Sequence, residues 1–297
     1  LHIFVTFSIL WFINLIRLNN IYALGISLLF LTHPIQTQAV SYISQRYSLF
    51  AALFYILALV FYLKSAYLLQ KIKKNRLNLT FFLIYFTSIL AFVFAILSKE
   101  NSYTLPIAII FVDYYFVSKS IKKLKNRVLY ILPFFVFALI FYLSRLGATF
   151  KTPVLGFAQL TQIPKAVSDL TITPWDYFLT QGRVIMTYIR LLFLPINQNL
   201  DYDYPITRSI SHLPTIISFL IITFLAIVAV NSSKKFRLIS FGIIFFFLTL
   251  VVESSFIPIN DVINEHRLYL PSLGFIIAFT SGLILFLENS LLIPLLK

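Results

Sequence analysis

Long apolar runs alternate with short polar or basic connectors from the first residue almost to the last. The runs cover approximately 1–16, 20–35, 47–63, 79–97, 103–117, 128–144, 215–230, 238–257 and 271–287. Each is long enough, or nearly so, to cross a hydrocarbon layer about 30 Å thick as a helix. The pattern predicts an all-α fold, a polytopic transmembrane helical bundle of about nine spans forming one domain over 1–297. One further apolar stretch, VIMTYIRLLFLPI at Val184–Ile196, carries Arg190 at its middle and reaches Pro195 near its end. A central Arg in lipid costs at least about 2.5 kcal/mol, so this stretch is expected to lie at the interface as an outer helix.

Composition agrees with the pattern. The chain is 60% hydrophobic and 11% charged with a mean hydropathy of +0.91, whereas a soluble domain carries about 25% charge. A water-soluble fold is excluded. There is no Cys, so disulfides and thiolate metal sites are excluded as well. The seven Gly never take the spacing of a phosphate-cradling loop or a nucleophile elbow. The first residue is Leu1 and the single methionine is Met186, which leads us to expect a longer parent sequence.

The net charge of +14 matters through its location. Basic residues crowd three short connectors: Lys64, Lys71, Lys73, Lys74 and Arg76; Lys119, Lys122, Lys123, Lys125 and Arg127; and Lys234, Lys235 and Arg237. Short Lys/Arg-rich loops stay cytoplasmic, and here they read as topology signals facing membrane lipids rather than as a nucleic-acid surface.

The chemically mixed segments then fall on the opposite, outer side, in loops at 33–46, 98–102, 145–214 and 258–270. Arg267 and His266 directly precede an apolar helix, where a guanidinium can grip a phosphate bidentately. Lys99 lies at a tight turn of similar depth. The competing reading is that Glu265 with Arg267, and Glu100 with Lys99, neutralise each other or their neighbours at helix ends. Asp201 and Asp203 flank Tyr202, which in an extended segment puts both carboxylates on one face. That face could hold a metal, bind sugar hydroxyls or serve as acid and base, or simply form a turn before Pro205. Four His residues without ligand spacing give no positive case for a metal cofactor. Asp113 near the inner end of a span reads as a structural polar contact, and Glu253 is equally balanced between structure and a cavity shared with Glu265.

Taken in order, HPIQTQAVSYISQR, SKENSYTLP leading to VDYYF, LPINQNLDYDYP and VVESSFIPINDVINEHRLYLPS resemble the membrane part of bacterial proteins related to the transmembrane and tetratricopeptide-repeat O-mannosyltransferases, of the GT-C glycosyltransferase class. The resemblance runs from the first span to about Gly274. It implies a multi-pass, inverting enzyme that moves a sugar from a polyprenyl-phosphate donor to a hydroxyl-bearing protein or glycan acceptor at the outer face of a bacterial inner membrane. By the same likeness Arg267 and His266 hold the donor phosphate, and Glu265, His33, Gln36, Lys99, Glu100, Asp201 and Asp203 line the donor and acceptor pocket. The family pattern carries Glu where this chain has Gln38. It also places the catalytic base in a loop expected upstream of Leu1, and repeats beyond Lys297. The alternatives to be weighed are a carrier or flippase for an anionic lipid or solute, and a non-catalytic membrane scaffold for a repeat domain.

Overall fold

The computed structural model describes residues 1–16, 20–71, 79–151, 172–259 and 261–289, and the described residues are helical with no strand. Lys73, Lys74, Arg76 and residues 152–171 of the expected long loop lie outside them. The helices are α1 His2–Leu15, α2 Asn20–Thr32, α3 Thr37–Ser41, α4 Arg46–Lys71, α5 Leu79–Ser98, α6 Leu105–Val112, α7 Ile121–Lys125, α8 Val128–Lys151, α9 Pro174–Phe193, α10 Leu213–Ser232, α11 Arg237–Leu250 and α12 Pro271–Asn289.

Four helical stretches are long and apolar enough to cross a membrane: Ile43–Lys71, Leu79–Ser98, Val128–Arg145 and Leu213–Ser232. Shorter apolar helices occupy His2–Leu15, Asn20–Thr32, Arg237–Leu250 and Pro271–Leu287. The outward faces of α5, α8 and α10 carry Leu83, Phe86, Leu129, Leu139, Leu220 and Phe224, all exposed. Continuous apolar surface of this kind is the lipid-facing side of a helical membrane protein.

Core packing centres on α4, which touches α1, α5 and α6 and buries Tyr55, Leu59, Tyr62 and Leu63. Lipid tails are as apolar as Leu, so helix association in a membrane depends on close packing and polar contacts more than on the hydrophobic effect. The α11–α12 pair illustrates the first. A Cβ placed at Gly242 would stand 2.5 Å from the carbonyl oxygen of Gly274, and one placed at Gly274 would stand 2.5 Å from the Phe246 nitrogen. Any side chain at either position forces the two backbones apart.

Three sequence expectations are corrected. The run at 103–117 is not one regular helix: a 3-10 turn at Glu100–Thr104 leads into α6, and Asp113–Ser118 is a π-helix. The wider winding brings Ser118 over Asp113, whose Oδ1 accepts the Ser118 hydroxyl at 2.5 Å. Its Oδ2 accepts from the Tyr62 hydroxyl and from Arg127 Nε, each at 2.6 Å. A carboxylate at 0% exposure must be satisfied in this way. Asp113 is thus the structural contact expected of it, whereas Arg127 is tied to Asp113 and is not part of a solvated basic loop.

The run at 238–257 ends as a helix at Leu250, where the amides of Glu253 and Ser254 both close onto the Leu250 carbonyl. The outer helix expected at 184–196 begins ten residues earlier, at Pro174. Thr173 caps it, its hydroxyl accepting the Asp176 amide at 3.1 Å, and Pro174 takes the first turn. It stops at Phe193 because Leu194 precedes Pro195 and adopts an extended conformation (φ −133°, ψ 90°).

Candidate functional site

The segments 33–46, 98–104, 194–212 and 251–270 all emerge at one end of the bundle, opposite the basic connectors. α9 lies beneath the 251–265 loop. It turns Tyr177, Gln181, Val184 and Tyr188 inward at helical spacing. The Tyr177 hydroxyl donates to the Glu253 carbonyl at 2.7 Å, Gln181 Nε2 to the Val262 carbonyl at 2.9 Å, and the Tyr188 hydroxyl to the Asn264 carbonyl at 3.0 Å. These polar side chains on an otherwise amphipathic helix are the readable mark of a loop held from below, and the sequence reading overlooked them.

Against this support rests a cavity of about 370 Å³ lined by Thr37, Gln38, Ser41, Tyr42, Gln198, Asn199, Leu200 and Glu265, a size suited to a small ligand or a sugar. Of the residues expected at a site, Glu265 lines this cavity. Its carboxylate accepts from Gln198 Nε2 at 2.8 Å, from the Asn199 amide at 2.7 Å, and from the Tyr202 hydroxyl. Burial, and then the hydrogen bond to Glu265 and its negative charge, push the Tyr202 hydroxyl well above its ordinary range, so Tyr202 remains a donor.

Gln38 joins three segments. Its Oε1 accepts the His266 amide at 2.5 Å and its Nε2 donates to the Leu200 carbonyl at 3.1 Å. A carboxylate at this position could not make the second bond.

The remaining expected residues gather at the same end without lining the cavity, and His33 and Gln36 fasten it. His33 caps the 3-10 turn at Pro34–Gln36, its Nδ1 accepting the Ile35 amide, and reaches the Leu192 carbonyl through Nε2 at 3.0 Å. Gln36 donates to the Ser272 hydroxyl at 2.9 Å. Asp201 and Asp203 are both exposed, while Tyr202 and Tyr204 between and beyond them turn inward. The alternation expected of an extended segment is present. The carboxylates are on its outer face, away from the Tyr202 contact to Glu265.

The competing reading allows these charges to neutralise each other or their neighbours; neither pair closes on itself, and Lys99 and Glu100 each find another partner. Glu100 pairs with Arg145. Lys99 pairs with Glu253 at 2.6 Å, with side chains only 7% and 10% exposed. Glu265 and Arg267 are not bonded to each other: Arg267, 4% exposed, donates from Nη2 to the Asp261 carbonyl at 2.6 Å and from Nη1 to the Val262 carbonyl at 3.3 Å. The expected phosphate grip is therefore directed at the protein's own loop, and Arg267 does not line the cavity.

His266 sits between these charges. Burial, and then the neighbouring Lys99 and Arg267 cations, push its imidazole down from 6.5 to about 3. Unfolding releases that constraint, so between pH 6.5 and about 3 the unfolded chain takes up a proton that the folded chain refuses. Stability conferred by neutral His266 is therefore present above pH 6.5 and declines as the pH falls through that window. Thermal unfolding in detergent should show the wild type losing more stability than His266→Gln between pH 7 and 4. Parallel curves would remove His266 from the charged cluster.

Among the described residues, no group of three or more His, Cys, Asp or Glu side chains is placed to hold a metal ion. Comparisons of the chain with protein-family models, with curated proteins and with solved structures find no match.

Proposed function

We propose that the protein is a membrane glycosyltransferase of GT-C-like architecture, with about nine spans and α9 at the interface. It moves a sugar from a polyprenyl-phosphate donor to a hydroxyl acceptor on a protein or glycan at the periplasmic or outer face of a bacterial inner membrane. The observation that carries this reading is that three of the four resembling segments meet at one end of the bundle, Gln38, Asn199 and Glu265 each lining one cavity in which Glu265 is a single oriented carboxylate.

Inverting transfer breaks the bond between the sugar's anomeric carbon and the phosphate oxygen, whose electron pair leaves with the lipid phosphate, forms one to the acceptor oxygen, and passes the acceptor's proton to a base, giving lipid phosphate, glycosylated acceptor and one proton overall. The first change leaves negative charge on a lipid phosphate at the membrane boundary, where fixed positive charge lowers the barrier. Lys99 and Arg267 place buried positive charge next to His266, Lys99 being paired with Glu253, while neutral His266 donates its one ring N–H to Gln38 Oε1 at 3.2 Å and so holds the cavity wall. The carboxylate of Glu265, held by donors from Gln198, Asn199 and Tyr202, positions an acceptor hydroxyl.

Purified full-length protein in proteoliposomes should release labelled polyprenyl phosphate from a lipid-linked sugar only when an acceptor is present. Glu265→Gln should reduce turnover at least about tenfold by misplacing the acceptor. Movement of the intact labelled lipid between leaflets, without sugar transfer, would identify a flippase instead.

A further inference from the structure

The opposite end of the bundle contains a second and larger cavity, of about 680 Å³. Its wall is assembled from five separate places in the chain: Ile16 after α1, Tyr67 and Gln70 on α4, Tyr115–Lys119 on the π-helix and its exit, Lys123 on α7, and Arg237 at the start of α11. Its charged lining residues are all cations, Lys119, Lys123 and Arg237, and none of the three forms an ion pair among the described residues. The neighbouring acid is already committed, since Asp113 is occupied by Tyr62, Ser118 and Arg127.

A general topology signal needs only Lys and Arg in a loop, in any arrangement. This arrangement is more specific. Lys119 is held in the left-handed region, φ 57°, as its backbone N–H donates a hydrogen bond to the Tyr114 carbonyl at 2.9 Å, a direct outcome of π winding. A left-handed Lys is an uncommon conformation that its surroundings must enforce. α11 opens at Arg237 without a side-chain cap, so the free amides and positive dipole end of a 14-residue helix lie at the same place. Ile16, Phe116 and Tyr115 add apolar surface beside the cations. The combination of concentrated positive charge, free amide donors and apolar wall fits an amphiphile carrying a phosphate.

We infer that this cavity binds the phosphate headgroup of an anionic membrane lipid, an assignment independent of the activity proposed for the other end. Lys123 and Arg237 supply direct charge-assisted hydrogen bonds, Lys119 closes the rim, and the apolar wall receives the glycerol or first methylenes.

The test uses the full chain in phosphatidylcholine nanodiscs, titrated with short-chain phosphatidylglycerol and, separately, with inorganic phosphate, read by thermal unfolding. The wild type should be stabilised by phosphatidylglycerol. Lys119→Gln/Lys123→Gln/Arg237→Gln should weaken its apparent affinity at least about tenfold, while unfolding normally in phosphatidylcholine alone. Lys122→Gln/Lys125→Gln/Lys235→Gln removes equal charge outside the cavity and should retain the wild-type response. Equal losses in the two triple variants would overturn the proposal, because a diffuse surface field would then suffice. A response to inorganic phosphate at least as large as to the lipid would support phosphate recognition and overturn the lipid as its source.

Discussion

Replacing Lys99 by Met should destabilise the protein by about 3–5 kcal/mol, and Glu253→Gln by a similar amount, whereas the Lys99→Met/Glu253→Gln double variant should recover most of the loss. The two side chains meet at 2.6 Å with almost no solvent contact. Removing one partner leaves the other as an uncompensated buried charge, and that desolvation cost exceeds the net attraction the pair provides. Removing both charges also removes the cost. Tyr47 covers Lys99 Nζ at 5.6 Å from its ring centroid, so a linear apolar replacement retains a packing partner. Thermal unfolding in detergent of the wild type and all three variants closes the cycle. Additive losses in the double variant would show that the two groups act independently.

Arg267→Ala should also lose about 3–5 kcal/mol. The guanidinium satisfies the Asp261 and Val262 carbonyls and lies close enough to Glu253, Tyr177 and Tyr188 for its own proton affinity to be raised by them, against the opposing effect of burial. Truncation therefore orphans carbonyls and leaves Glu253 short of positive charge. Arg267→Lys should recover only part of the stability, because a single ammonium cannot reproduce a planar fork bonded to two carbonyls. Unfolding temperature and monodisperse yield in detergent measure both effects. An Arg267→Ala protein that unfolds like the wild type yet has lost sugar transfer would restore Arg267 to the role of donor-phosphate ligand.

Both results turn on partners other than the nearest opposite charge in sequence. Glu100 is adjacent to Lys99 in sequence, but the 3-10 turn that follows Lys99 sends the two side chains in different directions. Lys99 turns into the bundle toward the end of α11, and Glu100 outward to Arg145 on α8. Glu265 and Arg267 likewise occupy one 3-10 turn yet serve different contacts, one reaching Gln198, Asn199 and Tyr202 and the other bracing residues 261–262.

What the amino-acid order alone determined is the all-helical membrane character and the gathering of mixed polar segments at one end. Hydrophobic run length and the placement of cations act locally, and lipid imposes their consequence on each segment separately. Asp113 could be identified as structural because a lone carboxylate in an apolar run must find partners. Tertiary structure alone decided which partners, since the Tyr62, Ser118 and Arg127 contacts require π winding and the approach of α4. It also decided that Glu265 lines a cavity while Arg267 does not. Hydrogen bonds between residues more than sixty positions apart depend on how helices pack, and neither run length nor charge placement encodes that packing.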